Sequence, residues 1–80
     1  MVVEWLSEDG QVYSADRSLE RFGTIHLMVE SLGEMGWDWH VWETAGRLQQ
    51  RYGLADTLLE AQVKARSALA DIVGQLSQPA

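Results

Sequence analysis

No cysteine occurs in the 80 residues of this chain. Disulfides, cysteine-ligated zinc, iron–sulfur clusters and thiol catalysis are thereby excluded. Proline occurs once, as Pro79, beyond every segment with a regular pattern. Basic residues are scarce: six Lys and Arg stand against twelve Asp and Glu, a net charge of −6. Nucleic acid is therefore not expected as a direct ligand, because it selects basic patches. No apolar run approaches the ~20 residues that cross a bilayer, and the start lacks the basic-then-apolar layout of a secretory signal. The expectation is a cytoplasmic protein with no membrane segment.

The acidic charge is unevenly placed. Residues 1–43 hold nine acids and two bases, whereas residues 44–80 hold three acids and four bases. The acidic half reads either as a solubilising surface or as a face aimed at a basic partner. Eighty residues make one domain, 1–80, with 77–80 expected to fray. A chain of this size buries roughly 60–65% of its unfolded surface, so its core is thin. Four Trp residues help to fill it, since each such ring can bury about 150–250 Å².

Large and polar residues alternate through Gly36-Trp37-Asp38-Trp39-His40-Val41-Trp42, the period of a strand. Gly23–Ser31 alternates too, with Ile25, Leu27 and Val29 on one face. Agreement of the two apolar faces pairs Val29 with Trp37, Leu27 with Trp39 and Ile25 with Val41, across a glycine-bearing reversal at 31–36. Parity in that pairing is fixed, because a one-residue slip turns an apolar set outward. Upstream, Asp9-Gly10 reads as a two-residue hairpin joining Val2–Ser7 to the residues after Gln11, with Leu6 opposite Tyr13. Asp16–Arg21 reads as a connecting turn. Downstream, Gly46 suits a φ > 0 turn position, and Arg47–Tyr52 reads as a strand with Leu48 and Tyr52 facing inward. Thr57 and Glu60 form a capping-box signature, and Leu58, Ala61, Ala65, Leu69, Ile72 and Leu76 recur at helical spacing. Gly74 and Pro79 mark that helix's stop. The expected fold is α+β: an antiparallel sheet of about five strands with one C-terminal helix packed on one face.

Chemistry-bearing residues are few. The expected pairing makes His26 and His40 direct cross-strand neighbours with Asp38 close by, a set that could hold a divalent metal. On an open sheet without supporting ligands such a set is a poor site, so no metal and no cofactor are expected. No Ser lies at a G-x-S-x-G elbow, and Gly33-Glu34-Met35-Gly36 is too short for a phosphate cradle. The expectation is not an enzyme. Trp42 falls on the opposite face from Trp37 and Trp39: it reads either as an exposed ring, a favoured interface anchor, or as a ring covered by a bend of the strand, a loop or the N-terminal hairpin.

The run Trp37-Asp38-Trp39-His40-Val41-Trp42, then Gly46, then Ala55-Asp56-Thr57-Leu58-Leu59-Glu60-Ala61 with an Ala-rich helix resembles small phage and prophage proteins. The resemblance covers about the C-terminal half and marks a fold rather than an activity. Some small acidic phage proteins are anti-CRISPR inhibitors that occupy or mimic a nucleic-acid site. The resemblance thus implies a non-enzymatic inhibitor binding a host protein complex with a basic surface. Glu8, Asp9, Asp16, Glu20 and Trp42 are the expected contacts, and occlusion is the expected mechanism. Two carboxylates at i and i+2 of a strand lie ~7 Å apart, close to the phosphate repeat. The alternative is a structural or assembly module of a phage, acting as a homodimer or accessory subunit through an edge strand.

Overall fold

The computed structural model describes residues 3–19 and 23–76. Four strands, β1 (Val12–Leu19), β2 (Gly23–Ser31), β3 (Trp37–Glu43) and β4 (Arg51–Ala55), form one antiparallel sheet in sequential order. One helix, α1 (Leu58–Leu76), lies across β2, β3 and β4. Among the described residues no helix is long and apolar enough to cross a membrane.

The α+β class with a C-terminal helix matches the sequence pattern, but the sheet has four strands rather than five. Among the described residues, the segment before Gln11 contributes a single bridge, Leu6 with Ser14. Leu6 thus faces Ser14 rather than the expected Tyr13, a shift of one residue, and the ladder does not continue to the turn, because side chains take the amides it would need. Ser7 Oγ accepts from Gly10 N–H at 2.9 Å, and Asp9 Oδ1 accepts from Gln11 and Val12 N–H at 2.8 and 3.2 Å. This is the local competition that Ser and Asp offer to strand pairing. Val3 and Trp5 instead pack against the core.

The expected turn at Asp16–Arg21 is also corrected, since Asp16 to Leu19 belong to β1 and pair with β2. The stretch is polar because β1 is an edge strand with one open face, where charge is favoured. Val2, Glu20 and Arg21 lie outside the described residues, as do residues 77–80, on which the expected fraying falls.

Parity between β2 and β3 holds, but the register is displaced by two residues. Val29 pairs with Trp39, Leu27 with Val41 and Ile25 with Glu43. Pairing runs further toward the loop than expected, to Ser31 with Trp37, and a 3₁₀ turn at Gly33–Met35 is closed by Leu32 N–H on Gly36 O at 2.8 Å.

After β3 the chain does not return at once. Glu43, only 2% exposed, folds its carboxylate back over the turn. It accepts from the Ala45 and Arg47 amides, both at 2.9 Å, and Gly46 takes the φ of 70° the turn needs. β4 therefore starts at Arg51, four residues later than expected, and Tyr52 points outward rather than in. The inward position opposite Trp39 is Gly53. A Cβ there would lie 2.8 Å from Trp39 Nε1, so only glycine lets the indole rest on β4.

The core is formed by Ile25, Leu27, Val29 and Val41 of the sheet against Ala61, Ala65, Ala68, Leu69 and Ile72 of α1. The small residues on the helix stripe let it approach a sheet that already carries Trp37 and Trp39. Thr57 caps the helix: its Oγ1 accepts from Glu60 N–H at 3.1 Å. Glu60 reaches back to Asp56 N–H at 3.2 Å, one residue before the cap. Thr57→Ala should cost about 0.5–2 kcal/mol. Asp56→Ala, which leaves that amide in place, should cost less, as thermal melts of the two variants will measure.

Candidate functional site

Among the described residues no element covers the face of the sheet opposite α1. The registers set its side chains in rows across the strands. One row runs Asp16, His26, Trp42. The next runs Ser14, Met28, His40, Tyr52. The third runs Val12, Glu30, Asp38, Leu54.

The aromatic residues of the first two rows touch. His26 stacks on Trp42 with ring centroids 5.2 Å apart and planes at 30°. His40 approaches the same indole at 4.8 Å, and Tyr52 meets His40 edge-on at 6.3 Å. Trp42 is thus half-buried against two imidazoles, on the face that alternation assigned to it. Tyr52 and Leu54, 75% and 63% exposed, extend the row to the free edge of the sheet. A groove of about 460 Å³ lies there, lined by Asp38, Trp39, His40, Gln50, Tyr52, Gly53 and Leu54.

The expected His26–His40 pair does not form, because the two-residue displacement puts Trp42 opposite His26 and Met28 opposite His40. Ring nitrogens of both histidines have protein partners. His26 Nδ1 lies 2.6 Å from Asp16 Oδ1, His26 Nε2 lies 2.6 Å from Thr44 Oγ1, and His40 Nε2 lies 2.8 Å from Gln50 Oε1. Among the described residues no group of three or more His, Asp and Glu is arranged to hold a metal ion.

The chain Asp16–His26–Thr44 was not visible in the sequence, because Asp16 read as a turn residue. It has the connectivity of a hydrolase triad: acid, imidazole, hydroxyl. Such a triad also needs N–H donors aimed at a developing oxyanion. Around Thr44 the backbone amides are already bonded. Thr44 N–H donates to Thr24 O, Ala45 and Arg47 N–H to the Glu43 carboxylate, and Gly46 N–H to Glu43 O. The Thr44 hydroxyl is itself 3.2 Å from Thr24 O. What the linkage does here is fasten β1, β2 and the end of β3, holding the His26 ring against Trp42.

The other sequence-designated contacts are dispersed. Glu8 and Asp9 lie in the loop before β1, where two backbone N–H bonds from Gln11 and Val12 hold the Asp9 carboxyl below its usual range. Asp16 is on the open face in β1, and Glu20 lies outside the described residues. The fold therefore gathers Asp16 and Trp42 on one face and leaves Glu8 and Asp9 in the neighbouring loop. Glu30, Asp38, Tyr52 and Leu54 escaped notice as a set. Their signal was alternation within β2 and β3, which assigned Glu30 and Asp38 to the same face.

Among the described strand residues, formal charge on this face has one sign. Asp16, Glu30 and Asp38 lie on it, whereas Arg17 and Arg51 occupy positions of helix-side parity. Arg51 is drawn there by Asp71 of α1, at 3.6 Å. Arg47 pairs with Glu43, and Lys64 bonds Glu60 at 3.0 Å and Leu54 O at 3.2 Å from the helix. Among the described residues the strands thus present no Lys or Arg on the open face. No protein-family model matches the chain, and no curated protein or solved structure matches it.

Glu43, behind this face, gives the turn a pH dependence. Burial pushes its carboxyl up, but the Ala45 amide, the Arg47 guanidinium and the Arg47 amide together outweigh that and hold it below the usual 4.5. A depressed folded value stabilises the fold above the unfolded value, and that contribution is lost as pH falls through the folded one. The melting temperature of Glu43→Gln should therefore lie below that of the parent at neutral pH, with the gap narrowing from about pH 4.5 downward. A gap that is constant with pH would contradict this role.

Proposed function

We propose that this protein is a non-enzymatic binding protein whose open sheet face docks on a basic surface of a host nucleic-acid-handling complex. The inhibitory role implied by the phage-protein resemblance, that of an anti-CRISPR acting in the cytoplasm of a bacterial host, is its most concrete form. One observation carries the reading: an uncovered sheet face with an aromatic row and three carboxylates, and no Lys or Arg among its described strand positions. Aromatic side chains at the centre of a patch supply most interface energy, and charge around them selects the partner and speeds encounter. A basic nucleic-acid groove complements both features, and occupying it blocks the nucleic acid.

The test is phage plating on hosts with defined interference systems, with and without expression of this chain. Protection of the phage against one system is the expected result. Glu30→Lys with Asp38→Lys should abolish it, while Arg66→Glu on the far side of the helix should not. Protection that survives the open-face reversal would reject the reading.

A second reading, a homo-oligomeric assembly module, draws on the free edge at β4 with its exposed Tyr52 and Leu54. Sedimentation separates the two. A dimer that is lost in Leu54→Lys, combined with no effect on plating, would favour assembly.

A further inference from the structure

Glu30 and Asp38 are direct cross-strand partners on the open face. Side chains so placed have Cβ atoms about 4.5–5.5 Å apart, and like charges in that position repel. Neither carboxylate has a hydrogen-bond or ion-pair partner among the described residues. Asp38 is also partly buried, so solvent screens it less than a fully exposed acid. A fold that keeps two unneutralised carboxylates side by side invites a cation from outside.

The surroundings narrow the kind of cation. On the far side of Asp38 stands Leu54, and diagonally Tyr52, both large and mostly exposed, at the mouth of the 460 Å³ groove. An apolar wall and a free aromatic face suit a cation with an aliphatic stem and a flat, weakly hydrated head. A guanidinium meets that description better than an ammonium, and its fork can donate to both carboxylates at once. The indole of Trp42 suits this part less well, because His26 across the strands and His40 two residues earlier already pack against it.

We infer that Glu30 and Asp38, with Tyr52 and Leu54 as walls, form the seat for an arginine side chain presented by the protein partner. The inference rests on the proposed docking of the open face and names the chemistry its partner must offer.

The test uses a blocked tetra-arginine peptide, its lysine counterpart and its citrulline counterpart, each titrated into the isotope-labelled full chain and followed by amide shifts. Citrulline keeps the shape of arginine and removes its charge. The arginine peptide should move the amides of Glu30, Asp38, Tyr52 and Leu54, the lysine peptide should bind more weakly, and citrulline should not bind. Asp38→Asn should weaken arginine binding about tenfold, the scale of a hydrogen bond to a charged group. Independently of any ligand, Asp38→Asn and Glu30→Gln should each raise the melting temperature at low salt, since each removes the repulsion. Equal binding of arginine and lysine, or binding unchanged by Asp38→Asn, would overturn the seat while leaving open-face docking in place. Binding of no cationic peptide at all would overturn both.

Discussion

Trp39→Ala should lower stability by about 3 kcal/mol, the lower end of the range for removing a large core ring. Domains of this size have only about 5–10 kcal/mol in reserve. The loss has two parts. The indole packs against the buried cluster beneath α1, and it covers the strip of β4 backbone that Gly53 leaves bare. Trp39→Phe is the informative companion. The indole N–H is buried without a partner among the described residues, and a buried donor left unpaired is a standing cost of about 1–3 kcal/mol. Phenylalanine removes that donor and keeps most of the ring, so its loss should be much smaller than alanine's. Trp42→Ala, on the half-open face, should also cost less than Trp39→Ala. Denaturant titrations in which Trp39→Ala and Trp42→Ala lose equal stability would contradict the assignment of faces.

Gly36→Ala should be comparably severe, by about 2–4 kcal/mol. Gly36 has φ of 96°, a conformation that side-chain-bearing residues rarely adopt. A Cβ there would also lie 2.4 Å from the carbonyl oxygen of Ala55. That contact is with backbone, so relief requires the start of β3 to move away from the end of β4, which pair at Trp37 and Ala55. Gly33→Ala is the control: φ is 67°, but beyond the adjoining residues no atom of the described chain lies within 4 Å of the added carbon. Strain alone should make its loss smaller than that of Gly36→Ala, as calorimetry of the two variants will show.

The helix was the most legible element, because its apolar spacing and the Thr57 signature are both local. Its observed span, Leu58–Leu76, is the one that spacing outlines. The bounds of β2 and the facing of Trp42 were legible for the same reason, since alternation is a property of neighbouring residues. Register was not. The two-residue displacement arises from Ser31 pairing with Trp37, which depends on how tightly a five-residue loop closes. β1 was hidden by its own position, as Asp16 and Ser18 are suited to an exposed edge and look like a turn.

The facing of Tyr52 was lost through Glu43. A buried carboxylate that organises the turn delays β4, and nothing in the residues 44–50 announces it. The candidate site suffered from these same failures. Alternation places Trp42, but in sequence Asp38 reads only as a metal ligand beside a histidine pair that the true register separates. Glu30 carries no signal of its own, because its significance lies in the residue opposite, Asp38.

Hydrogen–deuterium exchange of the chain in complex with its captured partner tests most directly whether the open sheet face is the binding surface. Exchange should slow at amides of β2, β3 and β4 on binding, with Glu30, Asp38, Tyr52 and Leu54 among the protected residues and the exposed helix side around Leu59 and Val63 unchanged. Protection confined to that helix side or to the loop at Glu8 and Asp9, with the open face exchanging as in the free chain, would contradict it.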